Sequence, residues 1–85
     1  MKLYLVHTGY YDKSIGDGFY EQHTNIFIIA KDAHNAREKV KKNKEFVAKK
    51  MHIDGIKEIE NIDGYDIELK KTKDKEKIKS YNHYQ

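Results

Sequence analysis

Eighty-five residues without a cysteine make one domain and exclude a disulfide framework, a thiolate zinc centre and a cysteine nucleophile. A chain this short buries only about 60–65% of its unfolded surface, so self-association is a ready source of further burial. The net charge of +3 is small for a dedicated nucleic-acid binder, and it alternates along the chain (−1 over residues 1–30, +5 over 31–50, −4 over 51–70, +3 over 71–85), a pattern suited to pairing within or between subunits.

The opening stretch, MKLYLVHTGYY, lacks the apolar core and small-residue cleavage site of a signal peptide. No segment approaches the roughly 20 apolar residues that span a bilayer, so a cytoplasmic protein without a membrane is expected. Residues 2–8, KLYLVHT, are β-branched and aromatic and read as a strand. The following GYYDKSIGDGFYEQ holds three of the five glycines and reads as a long connection. Residues 25–30, NIFIIA, are apolar without alternation. That is the pattern of a strand covered on both faces, so it is expected at the centre of its sheet.

Asp32 offers a helix N-cap, and Ala33, Ala36, Val40 and Val47 recur at helical spacing, predicting one helix over about 33–47. Glu38 and Lys42 are placed for an i,i+4 pair. In IKEIENIDGYDIELK the Asp-Gly pair signals a hairpin. A three-residue loop, Ile62-Asp63-Gly64, keeps the apolar register and turns Tyr65, Ile67 and Leu69 to the core. The order strand, strand, helix, strand, strand predicts an α+β domain over residues 1–70, with an antiparallel sheet of about four strands and one main helix on one face. Residues 71–85 form a lysine-rich tail expected to be disordered or weakly helical. With one sheet face uncovered, a homodimer is expected.

Two polar pairs stand out. Glu21 and His23 are two residues apart before the most apolar run, and His52 and Asp54 share that spacing after the helix. Residues two apart on a strand share a face, and a helix of about 14 residues rises roughly 21 Å, enough to bring the second pair back beside the first. Imidazoles with a carboxylate suit a divalent ion, with His23, His52 and Asp54 as metal candidates. A carboxylate could instead hold a neutral histidine as a base. The plainer reading is two polar strand ends, with Gly55 supplying a turn. Tyr10, Tyr11, Phe19 and Tyr20 flank the loop glycines; they are further ligand candidates, the plainer reading being that they fold back over the exposed sheet face. His7 has no carboxylate at strand spacing, and both His7 and His34 are read as ordinary element residues. Arg37, Lys39, Lys41, Lys42, Lys44, Lys49 and Lys50 read as a solvated helix face. No RNA-recognition aromatic motif or phosphate-binding glycine loop accompanies them. Ser14 lies in a flexible loop rather than a strained nucleophile turn.

The segments GFYEQHTNIFIIA, MHIDGIKEI and NIDGYDIEL together resemble the small bacterial family called domain of unknown function fifteen forty-three. Its pattern is an E-x-H segment entering an apolar strand, a helix, an H-I-D-[SG] segment and a D-G-Y hairpin. Here the resemblance spans residues 3–70, with Thr24 where the family pattern leads one to expect an acidic residue. Members with one or two copies of the unit imply that a single-copy chain pairs with itself. The resemblance carries no activity. The expected function is therefore a homodimeric binding or interaction module for a small ligand or protein partner, with no resident cofactor. The alternative is a small metal-assisted or acid–base enzyme using Glu21, His23, His52 and Asp54. Weak nucleic-acid binding through the lysine-rich helix comes third.

Overall fold

The structure, a computed structural model, describes residues 1–82. Strand β1 (Lys2–Tyr11) is the middle strand of a three-stranded antiparallel sheet, flanked by β2 (Glu21–Ala30) and β3 (His52–Ile59). Helix α1 (Ala33–Val40) packs on one face, and α2 (Lys44–Ala48) follows it. A separate two-stranded ribbon, β4 (Asn61–Ile62) with β5 (Tyr65–Asp66), follows the sheet. The domain is thus α+β.

Alternation along β1 sorts the sheet into two faces. Tyr4, Val6 and Thr8 are buried toward the helix, together with Ala30, Ala36 and Val40. Ile28 and Ile56 pack against this core. The buried Thr8 hydroxyl donates to the Thr24 carbonyl at 3.1 Å, and the Tyr4 hydroxyl donates to Glu58 Oε1 at 2.9 Å, so the polar groups taken from water are paired. Among the described residues no helix or strand covers the opposite face, and Leu69, Lys70 and Lys71 border it only beside Ile29. There Leu3 and Leu5 are half-buried, while Phe27 and Ile29 are 65% and 40% exposed.

Several expectations are corrected. The apolar run 25–30 lies on an edge strand; it reads as apolar on both sides because the uncovered face carries Phe27 and Ile29. β1 and β2 are longer than expected, so Tyr10 and Tyr11 are also strand residues, Glu21 and His23 lie in β2 as their spacing implied, and the connection shrinks to 12–20. It contains a short 3₁₀ turn at Gly16–Gly18.

The one main helix is α1, but it ends at Val40, and the rest of the expected 33–47 span is a break and the short α2. Asp32 caps α1, its side chain accepting from Asn35 N at 2.7 Å. Asn43 then starts a second helix by accepting from Glu45 N and Phe46 N, because a short polar side chain competes well for orphan backbone donors. Beyond this break Val47 is exposed, so only Ala36 and Val40 of the stripe are buried. Glu38 meets Lys41 at 3.7 Å rather than Lys42, and a second helical pair joins Lys49 to Glu45 at 3.0 Å.

The hairpin uses the two-residue loop Asp63-Gly64, pairing Ile62 with Tyr65 and Asn61 with Asp66. Both loop residues have positive φ, 53° and 83°, the signature of a type I′ turn. The ribbon stands apart from the main sheet, so no core enforces the apolar register that favoured a longer loop. Tyr65 and Leu69 are accordingly exposed rather than core-facing. The fourth strand of the expected sheet is this detached ribbon. Residues 67–82 form no helix or strand, and the part of the tail expectation that concerns 83–85 lies outside the described residues. No helix among the described residues is long and apolar enough to cross a membrane.

Candidate functional site

Gly9 of β1 is opposite His23 on β2 and opposite His52 on β3. With hydrogen in place of a side chain at the middle position, the two outer strands' side chains meet above it. A Cβ on Gly9 would stand 2.6 Å from His52 Nε2 and 2.9 Å from Asp54 Oδ2. A side chain at position 9 would therefore push the ends of His52 and Asp54 out of this arrangement.

β3 contributes a second device. The ladder pairs His7 with Gly55 but Thr8 with Ile53, leaving Asp54 as the extra residue of a bulge. Without it, strict period-two alternation would turn Ile56 away from the core. The bulge lets Ile53 and Ile56 pair with Thr8 and Val6 on the helix-covered face while Asp54 turns to the other. Gly55 therefore sits in the strand beside a bulge and supplies no turn, and a Cβ there would meet nothing within 4 Å.

The four side chains form a closed ring. His23 Nε2 lies 2.9 Å from Glu21 Oε1, and its Nδ1 lies 3.1 Å from Asp54 Oδ2. His52 Nε2 lies 3.1 Å from Glu21 Oε2 and 3.2 Å from Asp54 Oδ1. Each carboxylate thus presents one oxygen to each imidazole. His23 engages both ring nitrogens, a geometry that only the doubly protonated ring fills with two donors. His52 directs a single nitrogen at two oxygens. Side-chain exposure is 44% and 47% for the histidines and 30% for both carboxylates, so the ring faces solvent.

His7 extends the cluster. It stacks on His23 with centroids 5.0 Å apart and planes 8° apart, and its Nδ1 is 2.9 Å from Asn25 Oδ1. Among the described residues, two triads have ligand atoms within 4.8 Å of one another: Glu21, His52 and Asp54, and His7, His23 and Asp54. A depression lined by Leu5, His7, Asn25, Gly55, Ile56 and Lys57 continues from the cluster along the open face.

The expected residues therefore divide. Glu21, His23, His52 and Asp54 come together. Tyr11 is opposite Glu21 and shares its face by alternation. Tyr10 points the other way and carries Lys49 Nζ over its ring at 4.8 Å. Tyr20 is exposed and meets Phe19 edge-to-face at 5.0 Å. Ser14 is held in a tight turn, its hydroxyl and amide both donating to Asp12 Oδ1. The hydroxyl first, then the amide, holds the Asp12 carboxyl below its usual range. Of the lysine-rich face, Lys39 donates to the Ile29 carbonyl at 2.6 Å, and Lys41 and Lys49 face Glu38 and Glu45. Sequence reasoning missed Gly9 and His7. The signal for both was present, since a lone glycine inside a strand pattern marks a close approach, and His7 lies two residues before it on the same face.

A family model described as Domain of Unknown Function (DUF1543) matches residues 18–69. The chain belongs to this family. The matched part of this DUF1543 domain holds Glu21, His23, His52 and Asp54, while Gly9 and His7 precede it. No curated protein and no solved structure matches the chain.

Proposed function

We propose that this DUF1543 chain is a non-catalytic, cytoplasmic binding domain that works as a homodimer and holds a small cationic ligand at the Glu21–His23–His52–Asp54 cluster. The observation that carries the reading is the meeting of side chains from two outer strands over Gly9. Packing gives no reason for them, since they lie on the face away from the buried core. Two carboxylates set against two imidazoles supply a local negative field and fixed donor atoms, the means of selecting a cation. Their exposure supports binding over catalysis. An acid–base or electrostatic catalyst gains most from a water-excluded, low-dielectric setting, and this ring faces solvent. The apolar half of the same face, around Phe27 and Ile29, supports self-association.

The test is a titration of uniformly ¹⁵N-labelled, tag-free protein followed through the histidine ring nitrogens, with Zn²⁺, Mg²⁺ and ethylammonium as probes. The reading expects at least one probe to shift His23 and His52 while His34 stays fixed. No response of the His23 and His52 signals to any of the three overturns it.

A further inference from the structure

We infer that the ligand is a divalent transition-metal ion of the zinc class, held by His52 Nε2 and one oxygen each of Glu21 and Asp54, with His23 as the positioning residue for both carboxylates. This rests on the binding reading above and names the chemistry of its ligand.

Distances support the choice of atoms. Ligand atoms about 2.0–2.1 Å from a tetrahedral zinc ion stand about 3.3 Å from one another. His52 Nε2 is 3.1 Å from Glu21 Oε2 and 3.2 Å from Asp54 Oδ1, close to two edges of such a tetrahedron. His52 aims one nitrogen at both oxygens, so a single cation replacing its proton meets all three donors. Three protein ligands leave the fourth position of a tetrahedral ion to water or an added donor, on the solvent side of the ring.

The donor set selects the ion. Mg²⁺ and Ca²⁺ are hard cations that prefer oxygen throughout. One imidazole with two carboxylates suits Zn²⁺, Co²⁺ or Ni²⁺ instead, and the chain has no cysteine to favour a softer ion.

His23 has a different part. Its two nitrogens already lie on Glu21 Oε1 and Asp54 Oδ2, the oxygens turned away from His52. In this position it fixes the rotation of both carboxylates, much as hydrogen-bonded partners orient ligands in other metal centres. The His7 ring stacked on it holds its plane. Gly9 completes the arrangement, because a methyl group there would collide with the His52 Nε2 that must carry the ion.

The test uses tag-free, chelator-stripped protein titrated with Zn²⁺, Mg²⁺ and ethylammonium by calorimetry and, as a spectroscopic stand-in for Zn²⁺, with Co²⁺ by visible absorption, each variant first checked for native circular dichroism. Wild type is expected to bind one ion per chain and to bind Zn²⁺ more tightly than Mg²⁺. His52→Ala and Gly9→Ala should abolish binding at the wild-type site. His23→Ala should weaken it roughly 10- to 100-fold while retaining the Co²⁺ d–d band shape, since the ligands themselves are unchanged. His34→Ala should bind as wild type. Retained binding in His52→Ala with loss in His7→Ala would place the ion in the other triad and overturn the assignment. Binding of Mg²⁺ or ethylammonium in preference to Zn²⁺ would overturn the metal class while leaving the binding reading standing. Silence toward all three probes would end both.

Discussion

Two buried or enclosed positions on β1 serve opposite ends of the molecule's needs. At Gly9 the absent side chain makes room for the His52 and Asp54 side chains. At Tyr4 a full phenol fills the core, and its hydroxyl reaches Glu58 at 2.9 Å. Burial first, then the Glu58 carboxylate, pushes the Tyr4 hydroxyl up to about 12. Because the folded value lies above the ordinary one, the neutral phenol's contribution is complete below about pH 10. It is lost as pH rises through about 12. Denaturant unfolding followed by circular dichroism should therefore show stability falling between pH 10 and 12. In Tyr4→Phe the fall over that window should be shallower, and an equally steep fall in both proteins would remove Tyr4 from the explanation.

Elements explain why part of the architecture was readable from the chain and part was not. The E-x-H and H-x-D spacings are local, so each pair's common face followed from the pleat alone. That the first strand lies between them is a long-range choice of pairing, and no local pattern in residues 25–30 distinguishes a central strand from an edge strand with an apolar open face. The bulge at Asp54 was hidden for a related reason. Ile53 and Ile56 are three apart, a spacing that fits a strand only if one residue is extra, and the extra residue is also a site residue. In the hairpin, Asp63-Gly64 carried the correct turn chemistry, but the register argument assumed burial that the exposed Ile62 and Tyr65 do not have. The helix break was legible in Asn43, whose capping preference outweighed a weak stripe ending in Val47. Asn43→Ala should cost about 1 kcal/mol through the lost cap, measured by urea denaturation. A cost near zero would mean that α2 is held by its packing alone.

At the scale of the molecule, one helical layer covers one face of the sheet, and the other face divides into a polar half with the histidine–carboxylate ring and an apolar half with Phe27 and Ile29. Burying a large apolar side chain contributes about 1.5–3 kcal/mol, and a second copy presenting the same face would bury two of each. Sedimentation equilibrium is expected to give a dimer at micromolar concentration. Phe27→Glu should give a folded monomer, because an unpaired carboxylate would be driven into the contact. A wild-type chain that stays monomeric under those conditions would remove the dimer from the account.

The central claim, that β1 leaves a gap at Gly9 so that β2 and β3 can share one ion, is tested most directly by anomalous diffraction at the zinc absorption edge from crystals grown with Zn²⁺. The account predicts one strong peak per chain, about 2.0–2.2 Å from His52 Nε2 and from an oxygen of each of Glu21 and Asp54. A peak between His7 and His23, or none near Gly9 at saturating Zn²⁺, would contradict it.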